Sequence, residues 1–89
     1  MNIEVLFFGQ IRELTEVRST TIQIEDSASL DDLIKYLCRV YGDTFRTKVD
    51  SIQGLRILIN GREYTQLGGL ETLINNNDTI VFLPPIAGG

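Results

Sequence analysis

The chain has 89 residues and a hydrophobic fraction of 43%, which suit one soluble globular domain with a single core. Its net charge of −4 argues against a nucleic-acid partner, because such binding draws on clustered lysine and arginine. The absence of histidine and the single cysteine, Cys38, remove the commonest metal ligand and general base and exclude an internal disulfide.

These features also bear on compartment and catalysis. The longest apolar runs, Val5 to Phe8 and Ile80 to Leu83, are far too short to span a bilayer, and the first residues do not read as a secretory signal. We therefore expect a cytoplasmic protein that contacts no membrane. The sequence holds no P-loop, Cys-x-x-Cys or Gly-x-Ser-x-Gly motif, so we expect no bound metal or cofactor and no enzymatic activity from this chain alone. The acidic balance favours a basic partner surface.

Residues 1–9 predict a central first strand, since they become continuously apolar. The alternate positions expected to face the core are Ile3, Val5 and Phe7. Leu6 and Phe8 then point to the opposite face, where either another part of the domain covers them or they form part of a docking surface. Residues 10–17 are mixed and predict a turn with some helical character. Residues 18–25 alternate and predict a second strand in a hairpin with the first.

One helix is clearly indicated after Ser29, a good N-cap followed by acidic residues in the first turn. Its apolar positions follow helical spacing and form a stripe that we expect to pack on the sheet: Leu30, Leu33, Ile34, Leu37, Cys38 and Tyr41. Gly42 suits the helix end. We interpret Cys38 as a small buried core residue, not a nucleophile.

The second half predicts a polar surface connection and three more strands. Residues 43–54 are mostly polar and predict this connection, which has room for a short helical turn. A third strand over residues 55–59 is followed by Asn60-Gly61, a strong hairpin signal, and a short return strand over residues 62–64. Leu70, Leu73 and Ile74 suggest a short turn against the core. Residues 75–78 form a turn cluster, and the apolar residues 79–83 predict a central last strand beside the first.

The order of elements predicts an α+β fold of the β-grasp, or ubiquitin-like, type. We expect a mixed sheet with one main helix packed on one face, formed by residues 1–83, and an extended C-terminal tail over residues 84–89. Pro84 and Pro85 fix φ and lack N–H groups, so the chain cannot continue a central ladder there. Six extended residues reach on the order of 20 Å. Gly88 and Gly89 are the thinnest backbone available, which suits a narrow channel with a carboxylate at its end.

Three stretches together resemble the ubiquitin-like sulfur-carrier family, and most closely its molybdopterin synthase small subunits. They are Val5-Leu6-Phe7-Phe8-Gly9-Gln10-Ile11-Arg12-Glu13-Leu14, Asn77-Asp78-Thr79-Ile80-Val81 and Phe82-Leu83-Pro84-Pro85-Ile86-Ala87-Gly88-Gly89. The resemblance spans the chain, and its most specific parts are the opening phrase and the Pro-Pro-x-x-Gly-Gly end.

The resemblance implies a role for the C-terminal carboxyl group. A partner similar to ubiquitin-activating enzymes would use ATP and Mg²⁺ to adenylate Gly89, and a sulfur donor such as a cysteine desulfurase or a rhodanese would displace AMP to leave a thiocarboxylate. The tail would then enter the molybdopterin synthase large subunit, where the thiocarboxylate supplies sulfur to a pterin precursor of molybdenum cofactor. Gly88 keeps the approach thin, and Pro84 and Pro85 reduce the entropy lost on ordering.

The resemblance also implies a contact with the partner, for which the candidate residues are Phe7, Leu58, Ile59, Phe82 and Leu83 in the strands and Pro84 and Pro85 in the tail. Plain core packing is an equally good interpretation of the five strand residues. Three other functions stay open. The chain could modify proteins by joining Gly89 to lysines, carry sulfur for another pathway such as thiamine synthesis or tRNA thiolation, or dock its tail in a groove without reacting.

Overall fold

The structure is a computed structural model that describes residues 1–85. It contains five strands, three α-helices and two 3₁₀ turns. In chain order they are β1 (Asn2–Phe7), α1 (Gly9–Thr15), β2 (Ser19–Gln23), α2 (Leu30–Tyr41), α3 (Thr44–Ser51), β3 (Arg56–Ile59), β4 (Arg62–Glu63), the 3₁₀ turns Tyr64–Gln66 and Gly69–Glu71, and β5 (Thr79–Leu83). Within residues 1–85 no helix has the length and apolar character needed to cross a membrane.

The strands form one mixed sheet in the order β2-β1-β5-β3-β4. Strand β5 lies at its centre, parallel to β1 and antiparallel to β3, while β1–β2 and β3–β4 are antiparallel pairs. This arrangement, with helices on one face, confirms the predicted β-grasp fold and the predicted place of the last strand beside the first.

The core lies between the sheet and α2. The predicted inward positions Ile3, Val5 and Phe7 are buried, as are four residues of the predicted helical stripe: Leu30, Leu33, Ile34 and Leu37. At one end of the core Phe7, Phe45 and Phe82 pack together, with ring centroids 5.4 to 6.1 Å apart. Aromatic contacts at this spacing add to the stabilisation that burial provides.

Helix α2 begins where the sequence predicts, because Ser29 and Asp32 form a reciprocal capping box. The Asp32 N–H donates to the Ser29 side chain at 3.1 Å, and the Ser29 N–H donates to the Asp32 carboxylate at 3.0 Å. Gly42 ends the helix as predicted. Cys38, expected to be buried, is only partly buried at the margin of the core, since it lies near the edge of the apolar stripe.

Three local predictions need correction. Residues 10–17 hold a true helix, α1, whose Ile11 is buried. Residues 43–54 hold the two-turn helix α3, whose Phe45 is fully buried and belongs to the core. Of the three residues expected to tuck against the core after β4, Ile74 is buried, whereas Leu70 and Leu73 are 40% and 60% exposed.

A polar network joins the β3–β4 hairpin to the start of β5. The Asp78 carboxylate accepts hydrogen bonds from the Asn60 side-chain amide and from the Asn75 N–H, both at 2.8 Å. The Thr79 N–H donates to the Asn60 side-chain carbonyl at 2.9 Å. Because Asp78 is buried, these bonds offset the cost of taking its carboxylate out of water. The turn that the sequence predicts here therefore sets where β5 enters the sheet.

Candidate functional site: the tail root and the open sheet face

The tail leaves the domain from the middle of the sheet. In the register of β5, Phe82 pairs with Phe7 at the end of β1, and Leu83 pairs with Arg56 at the start of β3. The Phe8 N–H donates to the Phe82 carbonyl at 3.1 Å, next to the point where the prolines begin. Pro84 and Pro85 have no N–H to donate, so packing of their rings must help to hold these two residues.

Pro84 and Pro85 differ in their surroundings. Pro84 is buried and Pro85 is exposed, so the first residue of the predicted tail still belongs to the packed domain. A shallow groove beside the two rings is lined by Phe8, Gly9, Gln10, Glu13, Leu83, Pro84 and Pro85. We name this region the tail root. The predicted extended course of residues 86–89, including Gly88 and Gly89, lies outside the described residues.

Arg12 braces one wall of the tail root. Its Nε donates to the Phe7 carbonyl at 3.0 Å, and its guanidinium carbon lies 5.0 Å from the centroid of the Phe8 ring. The hydrogen bond satisfies the Phe7 carbonyl at the end of β1. The cation–π contact holds the Phe8 ring, which lines the groove. Helix α1, which the sequence suggested only weakly, therefore has a role in positioning the site.

The sheet face opposite α2 carries an apolar strip that leads to the tail root. Its side chains come from three neighbouring strands and share one side of the sheet, because Val81 pairs with both Leu6 and Leu58 and alternate residues point the same way. We name this strip the open face: Leu6, Leu58, Val81 and Leu83. All four are partly exposed. An ion pair between Arg56 and Glu63 borders it.

The five strand residues predicted to contact a partner divide between the two sides of the sheet. Phe7, Ile59 and Phe82 are buried in the core, so core packing, the alternative interpretation, describes them. Leu58 and Leu83 lie on the open face. Leu6, predicted to face away from Phe7 with its role left open, belongs to the open face. Val81 also belongs to it and was not predicted, because β5 is apolar on both sides and its sequence does not distinguish them.

The charged side chains of α2 and α3 lie on the helical side of the domain. Arg46 donates to the Asp31 carboxylate at 2.9 Å and Lys35 lies 3.2 Å from it. The hydrogen bond from Arg46 holds the pKa of Asp31 below its ordinary value. Within residues 1–85 no three histidine, cysteine, aspartate or glutamate side chains are grouped as metal ligands. What the described residues offer is a partly exposed apolar surface and an anchored exit for the tail.

Comparison with known proteins agrees with this geometry. The sequence model of the ThiS family matches residues 5–89, nearly the whole chain including the Gly-Gly end. The chain belongs to the ThiS family. This confirms the resemblance to ubiquitin-like sulfur carriers that the opening phrase and the tail indicated.

Proteins similar to this chain include both a sulfur carrier subunit and a protein named as a modifier. The molybdopterin synthase sulfur carrier subunit of Haemophilus influenzae is 33% identical, over 98% of this chain and 99% of its own. The small archaeal modifier protein 3 of Haloferax volcanii is 28% identical over the full length of both chains.

One similar solved structure contains a partner. It is the complex of subunits 1 and 2 of molybdopterin-converting factor from Helicobacter pylori, in which the matching chain is 26% identical with a TM-score of 0.64, over the full length of both chains. The matching chain is therefore one subunit of a two-subunit complex.

Proposed function

We propose that this protein is the sulfur-carrying small subunit of a molybdopterin synthase. The observation that supports this most directly is the tail root: a central strand ends at an anchored proline pair, beside an apolar open face, in a chain that matches a sulfur-carrier family through Gly89. In this proposal the chain is a subunit and a substrate, and its partners perform the catalysis. We expect this role in the cytoplasm.

The chemistry begins at the carboxylate of Gly89. A carboxylate is a poor acyl donor, so an activating partner with Mg²⁺ joins it to AMP from ATP and releases pyrophosphate. A cysteine persulfide on a donor protein then attacks the acyl carbon through its outer sulfur, and AMP leaves. A second thiol attacks the donor cysteine's sulfur in the resulting acyl disulfide, so that a new disulfide forms there and the thiocarboxylate of Gly89 is released. The thiocarboxylate transfers its sulfur to a pterin precursor within the large subunit, and water restores the carboxylate. Gly88 keeps this end narrow, since a side chain there would widen the part that enters the active site.

The domain supplies recognition in this proposal. The open face binds the large subunit through Leu6, Leu58, Val81 and Leu83, and it is continuous with the tail root through Leu83. A partly exposed apolar strip bordered by charges is the usual form of a protein interface. The Helicobacter pylori complex of subunits 1 and 2 supports a partner of this type.

A second function, protein modification, is favoured by the similarity to the small archaeal modifier protein 3. In that case the same adenylate, or a derived thioester, is attacked by a lysine amine, and an isopeptide bond forms at Gly89. The two functions share the activation step and differ in the nucleophile. The domain described above serves both equally well.

Reconstitution tests the proposal. The purified chain is incubated with its activating enzyme, Mg·ATP and a cysteine desulfurase with cysteine, and its intact mass is measured. We expect one terminal oxygen to be replaced by sulfur, and the product to convert a cyclic pterin precursor to molybdopterin when the large subunit is added. A protein that forms the thiocarboxylate but supports no conversion would contradict the molybdopterin role and leave a carrier for another pathway.

A further inference from the structure

Two glycines contact the proline pair of the tail root, one from each neighbour of β5. Gly9 follows β1 and Gly54 precedes β3. A Cβ atom added at Gly9 would lie 3.3 Å from Cγ of Pro84, and one added at Gly54 would lie 3.5 Å from Cγ of Pro85. Each glycine therefore packs against one proline ring, and the sheet order explains why. Strands β1 and β3 flank β5, so the segment leaving β5 passes between them.

Both glycines also have backbone conformations that favour glycine, with φ of +54° at Gly9 and +78° at Gly54. Positive φ alone does not explain the close approach. Gly61 and Gly69 have φ of +84° and +67°, yet a Cβ atom added at either would meet nothing within 4 Å. At Gly9 an added Cβ atom would lie closer to Pro84 than Cβ atoms usually lie to their neighbours, so the ring would have to shift. At Gly54 an added Cβ atom would be in ordinary contact with Pro85, and a longer side chain would begin against that ring.

We propose that Gly9 and Gly54 are positioning residues for the reaction at Gly89: together they form a cradle that fixes the direction in which Pro84 and Pro85 leave the domain. The inference rests on the proposed function. Beyond Leu83 the prolines cannot donate ladder hydrogen bonds, so ring packing is the means left to orient the chain. Pro84 is held by burial against Gly9, and the exposed Pro85 is held against Gly54.

The cradle matters because binding of the open face and entry of the tail into the partner's active site must both occur in one orientation of the domain. A partner that binds the open face fixes the orientation of the domain, and the tail must then enter that partner's active site from a set direction. A small rotation at the root of an extended arm becomes a larger displacement at its end. A misplacement of about 1 Å at a reacting group can cost about a hundredfold in rate. The cradle thus contributes to the reaction rate and not to the docking affinity.

Asparagine substitutions test this with a matched control. Asn60 and Asn77 adopt φ of +51° and +69° in this protein, so asparagine tolerates this backbone conformation. Gly9→Asn and Gly54→Asn place a side chain against the prolines, whereas Gly61→Asn makes the same change in open space. Adenylation by the purified activating enzyme is measured by the ATP–pyrophosphate exchange assay. For the two cradle variants we expect kcat to fall by about tenfold or more with KM for the carrier unchanged; for Gly61→Asn neither should change.

A double-mutant cycle separates ring contact from general damage. In a Pro84→Ala background the ring that Gly9 contacts is gone, so the effect of Gly9→Asn on kcat should shrink, while that of Gly54→Asn should persist. If wild-type protein is adenylated and both cradle variants match its kcat, or if the Gly9 and Pro84 effects are additive, the cradle is refuted. If wild-type protein is not adenylated at all, the proposed function itself fails. Should Gly9→Asn not fold, Gly54→Asn decides, because Gly54 lies in an exposed connection.

Discussion

Asp78 is a buried carboxylate that governs the entry to β5. Replacing it with alanine removes the two hydrogen bonds that its carboxylate accepts from the Asn60 amide and the Asn75 N–H, and a hydrogen bond to a charged group contributes about 1.5–3 kcal/mol. We therefore predict that Asp78→Ala lowers the free energy of unfolding by about this amount, measured by urea denaturation.

The control for this prediction is Asp43→Ala. Asp43 is exposed and makes no capping hydrogen bond, so its removal should change the free energy of unfolding by no more than about 0.5 kcal/mol. Equal losses for the two variants would show that the Asp78 network contributes little.

Gly89 is the residue on which the proposed chemistry depends. Deleting it should abolish adenylation by the activating enzyme, because the carboxylate would then lie one residue short of the position that the enzyme recognises. The unfolding midpoint should not change, since within residues 1–85 the core cluster ends at Phe82 and only the buried Pro84 follows it, well before Gly89. Both are measured on one preparation, by ATP–pyrophosphate exchange and by thermal unfolding. Full activity in the truncated protein would refute a covalent mechanism at Gly89.

At the scale of elements, the open face and the core face of the sheet have separate roles. Leu58→Asp introduces a charge on the open face and should weaken binding to the large subunit by about tenfold or more, measured by isothermal titration. Leu73→Asp is the matched control, because Leu73 is 60% exposed and lies outside the sheet. We expect it to bind like the wild type. Equal binding by Leu58→Asp and wild type would exclude the open face as the interface.

Helices α2 and α3 are joined by the Asp31–Arg46 hydrogen bond, which gives a pH dependence. Arg46 lowers the folded-state pKa of Asp31 below its ordinary value of 3.8. A depressed carboxyl pKa stabilises the fold above the unfolded-state pKa, and this stabilisation is lost as the pH falls through the folded-state pKa. Asp31→Asn should therefore cost up to about 1 kcal/mol of unfolding free energy at pH 7 and much less in acid. A difference in urea denaturation that persists in acid would contradict this.

The sequence predicted some elements well for physical reasons. Helix α2 has both a capping signal at Ser29 and a continuous apolar stripe, so local and periodic patterns agree. Helix α3 was underestimated because Phe45 is its one fully buried residue and the rest of Thr44–Ser51 is mostly polar. Periodicity is weak in such a helix, and the packing of Phe45 against Phe7 and Phe82 is visible only in three dimensions.

The sequence predicted where the candidate site begins, but not which side of the sheet its side chains occupy. The proline pair correctly marked the point where β5 ends. In β5, by contrast, four successive apolar residues conceal which side chains face the helix, so Phe82 and Leu83 looked equally suited to a partner. Only the register places Phe82 in the core and Leu83 on the open face. The contacts of Gly9 and Gly54 with the prolines join segments far apart in sequence, which no local pattern reveals.

At the scale of the whole molecule, the central strand β5 is held on both sides by neighbouring strands, and the helices cover one face of the sheet. In the proposed function the other face binds a partner and the domain presents the chain end that follows β5. Under that proposal one small domain serves either sulfur transfer or protein modification, since both need a recognised body and an activated terminus.

The most direct test is the intact mass of this protein recovered from its own cells, together with the proteins that co-purify with it, under conditions that preserve thioacids. We predict a form with one terminal oxygen replaced by sulfur, accompanied by a molybdopterin synthase large subunit. Recovery of Gly89 only as the unmodified acid or in isopeptide bonds to lysines of unrelated proteins, with no large subunit present, would contradict the sulfur-carrier function.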